Sequence, residues 1–486
     1  MGAGAMKAVS QKGDNPVVFN QTAKSDNLQV LMAAASERNP ELTVRYIDNW
    51  RHEYIDNFGT GKNDYMKWTI RLTDGADYHV WALAGSAVPV PLKLSVEGTE
   101  HLLDFSTRSA GVFEKQDIGI IHIPSGTSTL KLAKRDLAHG AAMIKSLELV
   151  RESDRPAYEA RIAEFRNETA SIMDWFRNSK YGLMFQFGSW AYPRTGPRKN
   201  IEDATNSFDV QRLMDMVMAS GASYVLWSLT WFQFRMQAPI KSLDRIMGHG
   251  DFTSERDLVG EIARACQNNG IKFILYYYHG VGEEETWRDK QNWPSSFGQD
   301  STGDRSTFFD NFCDIMTEVG NRYGTSLDGW FIDDGNTFYP APFERIGMAM
   351  KSGNPDRIIS INPGGERLCR LTEFQNVFFG EYDMGLPAYG SAQAGGDGVF
   401  MDGPQKGLLQ HGMFPITLCP DNYSPMGPEQ PINVVFDSCH VIPWVEDAIS
   451  RRVPLSINIG MWEDQTVSLE SLKVLEAVKN AANGMS

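Results

Sequence analysis

Two adjacent carboxylates, Asp333 and Asp334, follow a short apolar run near the middle of the chain. The run Leu327–Ile332 (LDGWFI) is typical of a buried parallel strand, whose residues form a near-continuous apolar stretch. An α/β barrel carries its chemistry at the carboxyl ends of such strands, so either aspartate could act as a nucleophile or a base. An isolated Asp-Asp-Gly sequence is more often a turn. The neighbouring elements must decide between these two interpretations.

Strand-like apolar runs alternate with helical patterns from Tyr181 onward, which predicts βαβ units and a parallel sheet. Eight such runs can be counted, and eight strands close a (β/α)8 barrel of the TIM type. The predicted strands are Tyr181–Gly188, Ser223–Thr230, Lys272–His279, Gly329–Asp333, Arg357–Asn362, Val377–Glu381, Met413–Leu418 and Val453–Gly460. The predicted helices are Asp209–Ser220, Ser254–Asn269, Phe308–Tyr323, Pro342–Ser352 and Leu469–Ala482.

The side chains at the carboxyl ends of these strands are expected to converge on one pocket. They include carboxylates from two strands, several aromatic rings, amides and one histidine. Aromatic rings stack on sugar faces, amides and carboxylates bind hydroxyls, and a carboxylate pair can break a glycosidic bond. The strand-end residues therefore predict a sugar site. They are Gln186, Trp190, Thr230, Trp231, Phe232, Tyr278, His279, Asp333, Asp334, Asn362, Glu381, Tyr382, Asp383, Asp421, Asn422, Asn458 and Trp462.

The region before the predicted barrel has a different spacing of apolar and polar residues. Short runs of alternating apolar and polar residues, separated by turns, predict an all-β sandwich over residues 16–153. The clearest runs are Lys67–Leu72, Tyr78–Leu83, Leu92–Val96, Ile118–Ile123, Thr129–Leu132 and Ile144–Leu149. A linking helix is expected over 154–178 and the barrel over 179–486. Residues 1–15 contain no apolar signal-peptide core and are expected to be an appended or disordered segment.

The order of the sandwich runs resembles the N-terminal jelly-roll modules of carbohydrate-active enzymes. This resemblance implies a carbohydrate-binding-module-like domain, with a purely packing role as the alternative. Trp50, Tyr54 and Trp68 could stack on a sugar or belong to the core.

Composition and charge exclude several classes of protein. A formal net charge of −15 disfavours nucleic acid as a partner, because few cations are available to displace counterions from phosphates. No run of apolar residues is long enough for a transmembrane helix, so membrane insertion is not expected. The five cysteines are widely spaced without a CxxC, and the nine histidines show no HxH or HxxxH pattern, so no metal site and no cofactor are expected. A GxSxG nucleophile motif is also absent.

Several segments resemble the catalytic barrel of glycoside hydrolase family 29, the α-L-fucosidases. The segment Trp175–Gly188 (WFRNSKYGLMFQFG) is similar to the opening of that barrel. The segments Arg256–Glu261 (RDLVGE), Gly270–Tyr277 (GIKFILYY), Asp328–Asp333 (DGWFID) and Val453–Gly460 (VPLSINIG) are similar to later strands and a helix of it. The resemblance spans about residues 175 to 480 and implies a retaining glycoside hydrolase acting on an oligosaccharide or polysaccharide.

The resemblance also implies roles for individual residues. Asp333 aligns with the nucleophile of the family, and Glu381, at the end of the sixth strand, is the predicted acid/base. Asp383, Glu344 and Glu366 are alternatives for the second role. The predicted substrate-binding residues are Gln186, Trp190, Trp231, Phe232, His279, Asp334, Asn362 and Asp383. His279 could instead be a buried residue of the barrel wall.

Two departures from the family pattern concern the sugar pocket. Gln186 replaces a family histidine, and Thr230–Phe234 (TWFQF) replaces a histidine-rich segment after the second strand. The family histidines bind fucose hydroxyls, so the expected substrate is fucose or another sugar in a remodelled pocket.

Two other functions remain open at this stage: a non-catalytic glycan-binding protein on a degenerate barrel, and a transglycosylase. The enzyme class implies secretion or a periplasmic location after removal of a signal peptide, although reduced cysteines also suit the cytoplasm. The sequence leaves the oligomeric state open.

Overall fold

The computed structural model describes residues 17–18, 28–45, 54–86, 88–105, 113–135, 140–187, 191–231, 234–281, 284–291, 305–363, 369–381, 396–418 and 433–485. The expectation for residues 1–15 falls outside these ranges. The described chain divides into two compact units, one ending at Glu159 and the other beginning at Ala160.

The first unit is built from strands, as its alternating pattern predicts. In its described residues the strands are β1 (Val17–Val18), β2 (Leu28–Met32), β3 (Glu37–Arg38), β4 (Val44–Arg45), β5 (Tyr54–Phe58), β6 (Tyr65–Leu72), β7 (Ala76–Gly85), β8 (Val90–Val96), β9 (Thr99–Phe105), β10 (Glu114–Ile123), β11 (Gly126–Lys134) and β12 (Ala142–Arg151). The six clearest runs of the sequence each fall within one of them, namely β6, β7, β8, β10, β11 and β12.

Within the described residues these strands form two six-stranded sheets. One has the order β1-β6-β11-β8-β9, with β3 also paired to β6; the other has the order β10-β7-β12-β5-β4, with β2 also paired to β12. All these pairings are antiparallel except that of β1 with β6. Buried residues of both sheets belong to one hydrophobic cluster. The first unit is therefore an all-β domain with a shared core.

Strand β6 shows why the alternating sequence folds in this way. Successive side chains of a strand point to opposite faces, and Met66, Trp68, Ile70 and Leu72 are buried, whereas Arg71 is exposed. The Trp68 indole N–H donates to the Met32 carbonyl at 2.9 Å. Of the two roles considered for Trp68, the structure therefore supports the core residue.

Along the sequence, the helices of the described chain lie before, between and after the strands of the second unit. They are α1 (Arg155–Arg177), α2 (Ile201–Asn206), α3 (Val210–Ser220), α4 (Lys241–Met247), α5 (Leu258–Asn268), α6 (Glu285–Lys290), α7 (Ser306–Tyr323), α8 (Gly335–Phe338), α9 (Phe343–Met350), α10 (Ser438–Ser450) and α11 (Leu469–Gly484). The five predicted helices correspond to α3, α5, α7, α9 and α11. Asp209 caps α3 by accepting from the Arg212 N–H at 3.1 Å, and Asp257 caps α5 by accepting from the Gly260 N–H at 2.9 Å.

The second unit contains a parallel sheet. Its strands are β13 (Tyr181–Phe185), β14 (Tyr224–Ser228), β15 (Lys272–Tyr277), β16 (Gly329–Ile332), β17 (Ile358–Ile361), β18 (Gly412–Pro415), β19 (Thr417–Leu418), β20 (Asn433–Val434) and β21 (Leu455–Asn458). In the described residues, seven of them form one sheet in the order β17-β16-β15-β14-β13-β21-β18, while β19 pairs with β20. Every pairing in the seven-stranded sheet is parallel. The mixed α/β class predicted from the sequence is confirmed.

The prediction of a sixth strand over Val377–Glu381 is wrong, because the structure contains no regular strand there. The segment makes isolated parallel bridges, from Val377 to Ser360 of β17 and from Glu381 to Met413 of β18. Side-chain amides replace the backbone on part of the β17 edge: Asn376 Oδ1 accepts from the Ile359 N–H at 2.6 Å, and Gln375 Oε1 accepts from the Ile361 N–H at 3.1 Å. Gly380 then leaves the extended conformation, with φ of 70°.

None of the described helices has both the length and the hydropathy of a membrane span.

Candidate active site

Asp333 stands directly after β16, at the carboxyl edge of the parallel sheet. Its backbone N–H donates to the Tyr277 carbonyl at 2.9 Å, and the Asn362 N–H donates to the Ile332 carbonyl at 2.8 Å. These two bonds extend the ladders from β15 to β16 and from β16 to β17 by one residue. Three neighbouring strands therefore end close together, and the side chains of Tyr276, Asp333 and Asn362 meet there.

The Asp333 carboxylate accepts hydrogen bonds on both oxygens. The Tyr276 hydroxyl donates to Oδ2, Asn362 Nδ2 donates to Oδ1 at 2.6 Å, and the Asp334 N–H donates to Oδ1 at 2.9 Å. Burial raises the pKa of Asp333 above its ordinary value, although the bonds from Tyr276, Asn362 and the Asp334 backbone lower it. The carboxylate is thus desolvated but held by three donors.

Asn362 joins the two predicted catalytic carboxylates. Its Nδ2 also donates to Glu381 Oε2, at 2.7 Å. Because this nitrogen lies 2.6 Å from Asp333 Oδ1 and 2.7 Å from Glu381 Oε2, the two oxygens can be at most about 5.3 Å apart. An amide NH₂ has two hydrogens, so each carboxylate receives one of them.

A pocket opens beside Glu381 and contains about 240 Å³ of empty space, part of which is open to solvent. Its lining combines apolar side chains with two amides and a carboxylate: Met184, Gln186, Trp231, Tyr276, Glu381, Met413, Phe414, Pro415 and Asn458. Three of the predicted site residues, Gln186, Trp231 and Glu381, therefore lie around one cavity. Asp333 and Asn362 connect to the same cavity through Tyr276 and Glu381.

Tyr276 is not among the predicted site residues, because the predicted third strand ends at Tyr278 and His279. The available signal was the two-residue period of a strand, which directs Tyr276 and Tyr278 to one face and Tyr277 to the other. Burial first, and then the negative charges of Asp333 and Glu381, raise the pKa of Tyr276 well above its ordinary value. Its hydroxyl therefore stays protonated and remains a donor.

Asn458, at the end of β21, was among the strand-end residues and lines the pocket. Its side chain is buried, and Nδ2 contacts the Met184 sulfur at 3.5 Å. Oδ1 has no hydrogen-bond partner among the described residues. A buried amide oxygen without a protein donor can accept a hydrogen bond from a ligand hydroxyl.

His279 and Asp334 are buried behind the carboxylate. His279 is fully buried, and its ring stacks on the Tyr278 ring with centroids 4.9 Å apart. Burial and then the positive charge of Arg305 lower the pKa of His279 to about 3, against a raising contribution from the Asp334 backbone. His279 does not line the described pocket, so its predicted contact with substrate remains a prediction. Asp334 has a left-handed backbone, with φ of 51°.

Three predicted substrate-binding residues, Trp190, Phe232 and Asp383, lie outside the described residues, as does the alternative acid/base Glu366. Glu344, the other alternative, belongs to α9 and forms an ion pair with Arg161 at 2.5 Å. It does not line the pocket. Among the described residues no group of His, Cys, Asp and Glu side chains is arranged to hold a metal ion.

Comparisons with known proteins agree with the motifs. A protein-family model described as Alpha-L-fucosidase matches residues 198–342, which include β14, β15, β16 and Asp333. This match confirms the resemblance drawn from the sequence and the assignment to glycoside hydrolases. No curated protein matches the sequence.

Similar solved structures include the α-L-fucosidase AlfC from Lactobacillus casei in complex with its α-L-fucose product. It is 15% identical, with a TM-score of 0.42, over 65% of this chain and 98% of that chain. An endo-fucoidan hydrolase of glycoside hydrolase family 107, MfFcnA4, is 14% identical, with a TM-score of 0.48, over 64% of this chain and 53% of that chain.

Proposed function

We propose that this chain, which matches the α-L-fucosidase family over residues 198–342, is a retaining glycoside hydrolase that removes a sugar unit, fucose or another sugar, from a glycan. The observation that carries the proposal is the hydrogen-bonded bridge from Asp333 through Asn362 to Glu381. Retaining enzymes hold their two carboxyl groups about 5 to 5.5 Å apart, whereas inverting enzymes need about 6.5 to 9.5 Å to admit a water molecule. The limit of about 5.3 Å on the Asp333–Glu381 oxygen separation supports retention.

In the first step Asp333 attacks the anomeric carbon, and the bond from that carbon to the leaving oxygen breaks. The bonding electron pair stays with the leaving oxygen, which takes a proton from Glu381. In the second step Glu381 removes a proton from water, whose oxygen attacks the anomeric carbon and releases Asp333. Asn362 and the Asp334 N–H hold Oδ1, and the Tyr276 hydroxyl holds Oδ2.

The pocket lining supports a substrate with both apolar faces and hydroxyl groups. Trp231 offers a ring for stacking, while Met184 and Met413 offer apolar contact. Gln186 and Asn458 offer amide groups to hydroxyls. Because Gln186 stands where the fucosidases have a histidine, we propose that the pocket is remodelled and that its preferred sugar can differ from fucose.

We also propose that the parallel sheet continues through residues 377–381 into a closed (β/α)8 barrel. The isolated bridges of Val377 to Ser360 and of Glu381 to Met413 support this, because they link the two edge strands of the sheet. The proposed domain limits are 16–153, 154–178 and 179–486, with the first domain a jelly roll that resembles carbohydrate-binding modules. From the enzyme class we propose a secreted or periplasmic location, with the cytoplasm as the alternative.

The nucleophile is tested by Asp333→Asn and Asp333→Gly. Loss of a covalent nucleophile should reduce kcat on aryl glycosides by several orders of magnitude while the circular dichroism spectrum stays that of the wild type. Added azide should restore turnover in Asp333→Gly and give a glycosyl azide of inverted configuration. The matched control is Asp328→Asn, directly before the same strand, where the carboxylate accepts from the Phe273 N–H at the amino edge of the sheet. This substitution should not affect kcat.

The acid/base is tested by Glu381→Gln. The kcat/KM of substrates with poor leaving groups should fall by about 100-fold or more, and the kcat/KM of dinitrophenyl glycosides should be nearly retained, since a good leaving group needs no proton. The kcat of dinitrophenyl glycosides should fall until azide is added, because water has lost its general base in the second step. Azide should here give a product of retained configuration. Full activity in Asp333→Asn would refute the proposal, and glycan binding by a wild-type protein that hydrolyses no glycoside would favour the non-catalytic alternative. Product analysis with acceptor sugars separates hydrolysis from transglycosylation.

A further inference from the structure

A histidine lies in the interior of the second unit with both ring nitrogens engaged, and the proposed mechanism does not use it. His411 is fully buried, next to the start of β18. Its Nδ1 lies 2.6 Å from the Phe379 carbonyl oxygen, and its Nε2 lies 2.8 Å from Ser456 Oγ. The ring also packs against Phe331, with centroids 4.9 Å apart.

The hydrogen bonds of His411 have only one possible direction. A carbonyl oxygen can only accept, so Nδ1 carries the proton and donates to Phe379. In a neutral imidazole Nε2 is then an acceptor, and Ser456 must donate its single hydroxyl proton to it. Burial lowers the pKa of His411 to about 3, so the ring is neutral over the working range of most enzymes.

The chain of hydrogen bonds extends one residue further into the sheet. Ser456 Oγ lies 2.9 Å from the Tyr224 hydroxyl, and because the serine proton is already used, Tyr224 donates. A directed series therefore runs from Tyr224 on β14 through Ser456 to His411, and ends at Phe379.

Phe379 precedes Glu381 by two residues in the segment that forms no regular strand. Neighbouring backbone packs closely against this segment. The Met413 N–H donates to the Gly380 carbonyl at 2.7 Å, and a side chain at Gly380 would overlap the His411 carbonyl oxygen. Isolated bridges give little cooperative support to a segment. The bond from His411 to the Phe379 carbonyl is one of the contacts that hold this segment, and it lies two residues before Glu381.

We propose that His411 and Ser456 are positioning residues that hold the acid/base Glu381 against the leaving-group oxygen. This inference rests on the proposed function and assigns to two buried residues a part in proton transfer that they perform without touching the substrate.

Ser456→Ala tests the proposal, with Ser360→Ala as its matched control. Both serines are fully buried on parallel strands of one sheet, but Ser360 Oγ has no hydrogen-bond partner among the described residues. Ser456→Ala should reduce kcat/KM by about 10- to 100-fold on alkyl glycosides, because a misplacement of about 1 Å can cost that much. On dinitrophenyl glycosides it should have nearly wild-type kcat/KM. Ser360→Ala should match the wild type on both substrates.

His411→Asn and His411→Leu provide a second measurement. An asparagine amide can still donate to the Phe379 carbonyl, whereas leucine cannot, so the asparagine variant should recover part of the alkyl-glycoside activity that leucine loses. Thermal unfolding of each variant shows whether it is folded at the assay temperature. If one variant does not fold, the other and Ser456→Ala still carry the test.

Equal loss on both classes of substrate in Ser456→Ala and in the folded His411 variants would overturn the inference, because a general structural defect does not depend on the leaving group. Glu381→Gln separates this failure from a failure of the proposed function. If the loss of activity in Glu381→Gln depends on the leaving group and the loss in Ser456→Ala does not, only the positioning role is wrong. If Glu381→Gln shows no such dependence, the acid/base assignment itself is wrong.

Discussion

At the scale of single residues, Tyr276 and Asn362 favour the ionised form of a buried carboxylate. Desolvation opposes the charge on Asp333 and raises its pKa, and hydrogen bonds to the charged form lower that pKa. A hydrogen bond to a charged group contributes about 1.5 to 3 kcal/mol. The same donors also orient the oxygens, so charge and geometry depend on the same residues.

Tyr276→Phe should therefore move the acidic limb of the kcat/KM profile to higher pH. In the proposed mechanism Asp333 must be ionised to attack, so activity should rise as the pH rises through its pKa. The Tyr276 hydroxyl lowers that pKa, and its removal raises it. We also expect kcat to fall by about 10- to 100-fold, the equivalent of one hydrogen bond to a charged group.

The control for this prediction is the next residue in the chain. Tyr277 is equally buried, and its hydroxyl has no hydrogen-bond partner among the described residues. Tyr277→Phe should leave the profile unchanged. An acidic limb that stays in place, or moves to lower pH, in Tyr276→Phe would contradict the assignment of Tyr276.

At the scale of elements, residues 375–381 form no regular strand, yet they still provide hydrogen-bond acceptors to the backbone of β17. Two side-chain amides satisfy backbone donors of β17, and the main chain is then free to turn. The turn brings the Glu381 carboxylate to Asn362. Gly380 permits it, because its φ of 70° lies in the left-handed region.

Gly380→Ala should destabilise the protein far more than Gly270→Ala. The two glycines have nearly the same φ, 70° and 68°, so the backbone strain of an alanine, about 1 to 2 kcal/mol, is common to both. A Cβ at Gly380 would overlap the His411 carbonyl oxygen, whereas none of the described atoms lies within 4 Å of a Cβ at Gly270. Urea denaturation measures the difference. Equal midpoints for the two variants would show that residues 379–381 can move.

At the scale of the second unit, the two edges of the parallel sheet carry different tasks. Asp333 and Asn362 follow the carboxyl ends of β16 and β17. Arg357 precedes the amino end of β17, where its buried guanidinium donates to the carbonyls of Leu327, Met350, Ser352, Gly320 and Gly324. Barrels commonly separate stability at one edge from chemistry at the other.

Arg357→Met should lower the free energy of unfolding by about 3 kcal/mol or more, because several buried carbonyls lose their donors. At temperatures well below its unfolding midpoint the variant should keep a wild-type kcat. Arg345→Met is the control, since Arg345 lies at the surface and its ion pair with Asp310 is worth about 0 to 1 kcal/mol. A selective fall in kcat for Arg357→Met, with stability unchanged, would contradict this division of tasks.

The sequence by itself determined most of the elements. Alternation with a period of two predicts the strands of the first unit, and apolar runs alternating with capped helices predict the parallel sheet of the second. These signals are local, because each depends on the burial of neighbouring side chains. The sixth strand is the exception: its β-type run is intact, but the side chains of Gln375 and Asn376 pair with residues of β17 that lie more than ten positions away.

Only the tertiary structure decided how the candidate site is assembled. Asp333 and Glu381 could be nominated from strand ends and a family pattern, but their connection through one Asn362 nitrogen depends on the register of three strands. Tyr276 lines the pocket without having been predicted, and His279 is fully buried and does not line it, because the packing of strands at the carboxyl edge decides which side chains reach the cavity. Local pattern carries no information about such packing, since it arises between residues distant in sequence.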